Sequence, residues 1–126
     1  MHIDHIGIIN RSEDEAIRFY GDFLGFKKTR ESILPPTLSE QLFSVPSEIK
    51  LLVFEGNGMK LEVFICPDCE QPFPDFRHIG LLLDNLPEFI KKAEQAGVKH
   101  ISAQKGDRTV HFIKDFSGNL IEIKQK

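Results

Sequence analysis

The chain has little cysteine. Cys66 and Cys69 are the only two in 126 residues, too few for the disulfide framework of a small secreted scaffold. It also lacks an excess of positive charge: sixteen Lys and Arg against nineteen Asp and Glu leave a net charge of −3. A phosphate backbone would find no electrostatic footprint here, which excludes nucleic acid as a partner. Long apolar runs are missing too. The stretches at 51–54 and 80–83 fall far short of the roughly 18 residues that cross a bilayer, so no membrane partner is expected. The opening Met1-His2-Ile3-Asp4 has neither a basic n-region nor an apolar h-region, so no secretory signal and a cytoplasmic location are expected. What is present is an ordinary soluble composition, 40% hydrophobic and 28% charged. The length suits one domain of about 150 residues that folds alone.

Within that domain two segments share an ordered series of features, and the chain reads as two modules. His5-Ile6-Gly7-Ile8 opens the first and His78-Ile79-Gly80-Leu81 the second, each a short strand. A helix follows each. Ser12 with Glu15, and Asn85 with Glu88, supply capping-box starts, and the glycines of Leu24-Gly25-Phe26 and Ala96-Gly97-Val98 supply ends where positive φ is needed. Strand-like alternation then occupies 27–33, 50–55 and 60–65 in the first module, with Gly56-Asn57-Gly58 as a hairpin turn, and 98–102, 109–114 and 120–124 in the second. Residues 34–48, with Pro35, Pro36 and Pro46, read as an irregular excursion holding one short strand at 41–44. The expected organisation is a single α+β domain over 1–126: a first βαβββ module at about 1–65, a proline-rich linker at 66–75, and a second at about 76–126. Each half-covered sheet predicts helices outside and an open curved mixed sheet whose concave face takes a small-molecule substrate.

Four polar residues occupy matching places: His5 and His78 in the opening strands, Glu62 and Glu122 in the closing ones. Glu62 lies within Leu61-Glu62-Val63 and Glu122 within Ile121-Glu122-Ile123, so alternation turns each carboxylate away from its apolar neighbours, and the same parity applies to the histidines. A glutamate between aliphatic residues is commonly just solvated. Recurrence of all four at equivalent points of a duplicated unit favours a shared site. Two imidazoles and two carboxylates suit a borderline divalent ion such as Zn, Ni, Co, Mn or Fe(II), with water in the remaining positions.

With these residues in place, the chain resembles the vicinal oxygen chelate superfamily, which includes glyoxalase I, methylmalonyl-CoA epimerase, extradiol dioxygenases, fosfomycin-modifying enzymes and bleomycin-resistance proteins. The likeness rests on Ile3-Asp4-His5-Ile6-Gly7-Ile8, on Ala16-Ile17-Arg18-Phe19-Tyr20 followed by Leu24-Gly25-Phe26, and on Phe112-Ile113-Lys114-Asp115 leading through Ser117-Gly118-Asn119 to Glu122. Phe116 stands where the family usually has a proline. The resemblance implies His5, Glu62, His78 and Glu122 as metal ligands, and a homodimer. A bound divalent ion would stabilise an enolate, and Glu62 or Glu122 would move the proton beside the carbonyl. The leading expectation is therefore a metal-dependent isomerase or lyase, like methylmalonyl-CoA epimerase or lactoylglutathione lyase. The alternatives are a dioxygenase or thiol transferase of the same superfamily, and a metal-free small-molecule-binding protein like the bleomycin-sequestering members, which generally lack the ligand set.

Other residues carry less. One of His111 and Phe112 faces the hollow, and relatives favour Phe112, with Arg108 sharing its parity; both are candidate substrate contacts. His2 and His100 read as surface residues. Cys66 and Cys69 lack the two further ligands of a structural zinc site and the strand-to-helix setting of a redox pair.

Overall fold

The computed structural model describes residues 1–69 and 75–126; positions 70–74 of the expected linker lie outside the described residues. The chain divides into two compact units, Met1–Glu70 and Gln71–Lys126. The first runs β1 (Ile6–Asn10), α1 (Glu13–Ala16) continuing as π-helix over Ile17–Phe23, β2 (Lys27–Leu34), α2 (Pro36–Phe43), β3 (Ile49–Gly56) and β4 (Met59–Ile65). The second runs β5 (His78–Leu83), α3 (Leu86–Gln95), β6 (Lys99–Lys105), β7 (Arg108–Lys114) and β8 (Leu120–Gln125). Both are βαβββ modules, the first with an added helix. Their four-stranded mixed sheets share one plan, β1-β4-β3-β2 and β5-β8-β7-β6, in which the opening strand lies parallel to the closing one.

Local chemistry sets the helix limits. The Ser12 hydroxyl accepts from the Glu15 amide at 3.1 Å and the Asn85 carbonyl from Glu88 at 3.1 Å, satisfying amides that a helix start leaves open. Gly25 and Gly97 then take φ of 75° and 73°, and the amides of Phe26 and Val98 close back on Tyr20 O and Ala93 O at 2.8 and 2.9 Å, the αL termination that glycine permits. Between these ends the first helix widens, and Leu24 N bonds Phe19 O at 2.9 Å, five residues back. Phe19, Tyr20 and Phe23 are all buried there, and Tyr20 meets Phe54 of β3 with ring centroids 5.9 Å apart.

Register separates the two sides of each sheet. Leu52 pairs with Val63 and Phe54 with Leu61; all four are buried on the side taken by Tyr20, and each such side chain contributes roughly 1.5–3 kcal/mol of burial. In the second unit Ile113 pairs with Ile121, and both are buried in the sheet against which α3 packs through β6 and β8. Glu62 and Glu122, one residue out of phase with these rows, lie on the opposite sides.

The excursion at 34–48 corrects one expectation. Instead of a short strand at 41–44 it forms α2, with Pro36 in the first turn, where a missing N–H costs nothing, and Ser44 ending it in the left-handed region at φ 59°. Apolar attraction explains the choice: Phe43 packs on Phe64 of β4 with centroids 5.1 Å apart. Val45 joins Leu34, Ile49, Leu51, Ile9 and Cys66 in a cluster, so this segment roofs one end of the Glu62 side. Among the described residues no helix is long and apolar enough to cross a membrane.

Candidate metal centre

In the first unit His5 sits immediately before β1. Its Nδ1 lies 2.9 Å from Asp4 Oδ2; an ionised carboxylate only accepts, so Nδ1 carries the hydrogen and donates it. Hydrogen bonds from His5 and then from Lys60 hold the Asp4 carboxyl below its ordinary range. Nε2 is thereby left to face Glu62, 3.3 Å from Oε2. Glu62 belongs to β4 in register with Gly7 and Val53, and Arg30 of β2 brings Nη2 to 3.8 Å from its Oε1.

The second unit repeats the arrangement with different support. His78 Nδ1 donates to the Phe76 carbonyl at 2.9 Å, and Nε2 faces Glu122 Oε2 at 3.6 Å. Glu122 is in register with Gly80 and Phe112, and Lys124 lies 3.0 Å from the same carboxylate. Side-chain exposures nearly match: 41% and 18% for His5 and Glu62, 38% and 17% for His78 and Glu122. The two pairs are therefore about equally open to solvent, with different neighbours.

The donor set can be tested for its fit to a metal. A neutral imidazole whose Nδ1 holds the hydrogen presents a lone pair at Nε2, and a carboxylate oxygen presents another. Two acceptors facing each other at 3.3 and 3.6 Å need a cation between them, either a proton or a metal. An ion bonded to both at about 2.1 Å would set N and O about 3.0–3.4 Å apart, depending on the angle, a span that the 3.3 Å pair matches and the 3.6 Å pair slightly exceeds. The second-side hydrogen bond of each histidine fixes the tautomer that metal binding requires. Each pair thus offers one nitrogen and one oxygen. The structure brings together His5 with Glu62 and His78 with Glu122; among the described residues no group of three or more potential ligands occurs.

The remaining expectations divide. Phe112 lies on Glu122's side of the sheet, its ring 5.2 Å from that of His78 in an edge contact. Arg108 shares that side but starts β7 next to the hairpin turn, paired with Lys105, about 13 Å along the strand from Phe112. His111 faces the other side and meets His100, with rings 5.2 Å apart and nearly parallel and Nε2 to Nδ1 at 3.0 Å. His100 is therefore half-buried and partnered, not the surface residue expected, because β6 places it diagonal to His111. His2 is exposed. Cys66 and Cys69 form a disulfide beside the Leu34 cluster.

Sequence reasoning missed Asp4, Arg30 and Lys124. Asp4 and Lys124 were findable, as a carboxylate next to a candidate ligand and a lysine two along a strand from one. Arg30 was not. Strict alternation puts it on the helix side, and only an extra residue at Thr29, where pairing steps from Lys28↔Phe54 to Arg30↔Val53, turns it toward Glu62.

Fold and site together define a class: proteins of paired βαβββ modules, each offering a histidine and a glutamate from its parallel strand pair. The chain belongs to the glyoxalase, bleomycin resistance protein and dioxygenase superfamily, whose pattern matches residues 2–123. Among solved structures it is similar to a glyoxalase family protein from Enterococcus faecalis, at 21% identity over 97% of this chain and 95% of that one with a TM-score of 0.77. It is also similar to the trypanothione-dependent glyoxalase I of Leishmania major, at 19% identity over 96% and 84% with a TM-score of 0.72. A variant of the fosfomycin resistance protein FosX from Listeria monocytogenes, complexed with Mn(II) and 1S,2S-dihydroxypropylphosphonic acid, matches at 16% identity over 97% and 90% with a TM-score of 0.70. No curated protein matches the sequence.

Proposed function

We propose that His5, Glu62, His78 and Glu122 ligate one divalent metal ion and that the protein is an isomerase or lyase moving a proton at a carbon next to a carbonyl. The observation that carries this reading is the repeated pair: in each module Nδ1 is committed to an acceptor and Nε2 confronts a carboxylate. The Mn(II) complex of FosX and the glyoxalase I neighbour support the choice of ion and chemistry.

A divalent ion held there would act as a Lewis acid, lowering the cost of negative charge on a chelated substrate oxygen. The chain's own groups do the rest. His5 and His78 are oriented through Asp4 and the Phe76 carbonyl. Glu62 or Glu122 accepts the proton from carbon and returns it. Phe112, in contact with His78, gives the substrate an apolar wall.

The test uses purified protein titrated with Mn(II), Ni(II), Co(II) or Zn(II), then incubated in deuterated water with methylmalonyl-CoA and, separately, with the glutathione hemithioacetal of methylglyoxal. Near-stoichiometric metal and solvent-derived deuterium in one substrate are expected. Less than about a tenth of an equivalent of every metal would defeat the reading, because four neutral-pH donors bind a transition ion far above that level.

A further inference from the structure

We propose that Arg30 reads an anionic group on the substrate, a carboxylate or a phosphate a few bonds from the oxygens that approach Glu62. This rests on the metal reading above and adds to it the charge class of the substrate.

Three observations converge. Arg30 lies in one cross-strand row with Gly7, Glu62 and Val53, and its guanidinium reaches back across Val53 to Glu62. Second, it occupies that row only because of the irregularity at Thr29. A bulge that redirects one side chain onto the face of a site is a common device beside functional groups; here it also carries Leu34 into its buried cluster. The third observation is the looseness of the contact. At 3.8 Å with 63% of its side chain exposed, Arg30 is near Glu62 without being consumed by it, and such an exposed pair is worth little by itself.

Charge completes the argument. Once a divalent ion takes up the charge of Glu62, Arg30 faces no full negative charge and stands as a second cation beside the first. An anion entering the row meets both. Its two oxygens match the parallel N–H groups of a guanidinium, a geometry that lysine cannot offer. Lys124 does not share this position: it is two residues from Glu122 on the same strand and in direct contact at 3.0 Å.

The experiment uses Mn(II)-loaded full-length protein and three probes with a vicinal diol: 3,4-dihydroxybutanoate, glycerol 3-phosphate and the neutral 3,4-dihydroxybutanamide. Affinities are read from water-proton relaxation of the bound Mn(II), with no turnover required. Wild-type protein is expected to prefer at least one anion over the amide by about tenfold, the scale of one charge-assisted bidentate contact. Arg30→Gln should bring that ratio within about twofold and leave Mn(II) affinity within about threefold, while Arg30→Lys should keep part of it. A preference for the carboxylate alone, or for the phosphate alone, names the anion. A preference that survives Arg30→Gln, or no preference in the wild type, overturns the assignment and leaves the metal reading intact. Absence of Mn(II) binding by wild-type protein sinks the metal reading and this inference with it.

Discussion

The two modules share their plan and differ in the row that crosses each candidate ligand. In the first it reads Gly7, Glu62, Val53, Arg30; in the second, Gly80, Glu122, Phe112, Ile101. The inner half is the same, a glycine beside a glutamate with a histidine two positions before the glycine. The outer half is cationic in one module and apolar in the other. The shared inner half is what the metal reading uses, and the differing outer half is what the proposed role of Arg30 uses. The backing of the two histidines diverges in the same way, a carboxylate in one case and a backbone carbonyl in the other.

The sharpest way to break the comparison is to remove the charge from each inner half in turn. Glu62→Gln and Glu122→Gln should each lower metal affinity by more than the 10- to 100-fold typical of losing an outer-sphere partner, and whichever glutamate is the base should lower proton exchange by roughly 10²–10⁴. Metal titration of the two variants measures this. A variant that retains wild-type affinity would show that its module contributes no oxygen ligand, and the equivalence of the halves would fail.

A smaller effect sharpens the difference in backing. Asp4→Asn leaves an acceptor for His5 Nδ1 but removes its charge and the attraction of Lys60. Metal affinity should fall about tenfold, the lower end for outer-sphere partners because Asp4 is exposed. The fold should be unaffected, since a surface pair contributes about 0–1 kcal/mol. An unchanged affinity would mean that a neutral acceptor orients His5 as well as a carboxylate does, and that the contrast with the Phe76 carbonyl has no consequence.

How much of this was legible in the sequence follows from the range of the forces involved. Helix starts at Ser12 and Asn85 and ends at Gly25 and Gly97 are decided within a few residues, and strand alternation around Glu62 and Glu122 is decided by period, so both could be read directly. The helix α2 could not, because Phe43 gains its partner Phe64 from a strand far along the chain. The bulge at Thr29 was equally hidden: Lys27-Lys28-Thr29-Arg30-Glu31 is polar throughout, and a polar run has no apolar phase from which a slip would show. His100 and His111 belong to the same class, since their contact is diagonal across a hairpin whose register the sequence leaves open.

The finest distinction concerns the two glycines beside the ligands. A methyl group added at Gly7 would lie 3.3 Å from Phe64 Cε2, whereas one added at Gly80 would meet nothing within 4 Å. Phe64 has little room to yield because Phe43 packs against it, so Gly7→Ala should cost about 1 kcal/mol through overpacking. Gly80→Ala meets no clash and restricts the unfolded chain, so it should be neutral or stabilising by up to about 1 kcal/mol. Urea denaturation of the two variants at matched metal content should give a lowered midpoint for Gly7→Ala and an unchanged or raised one for Gly80→Ala. Equal midpoints would mean that Phe64 moves aside freely and that the packing of α2 on it through Phe43 is soft.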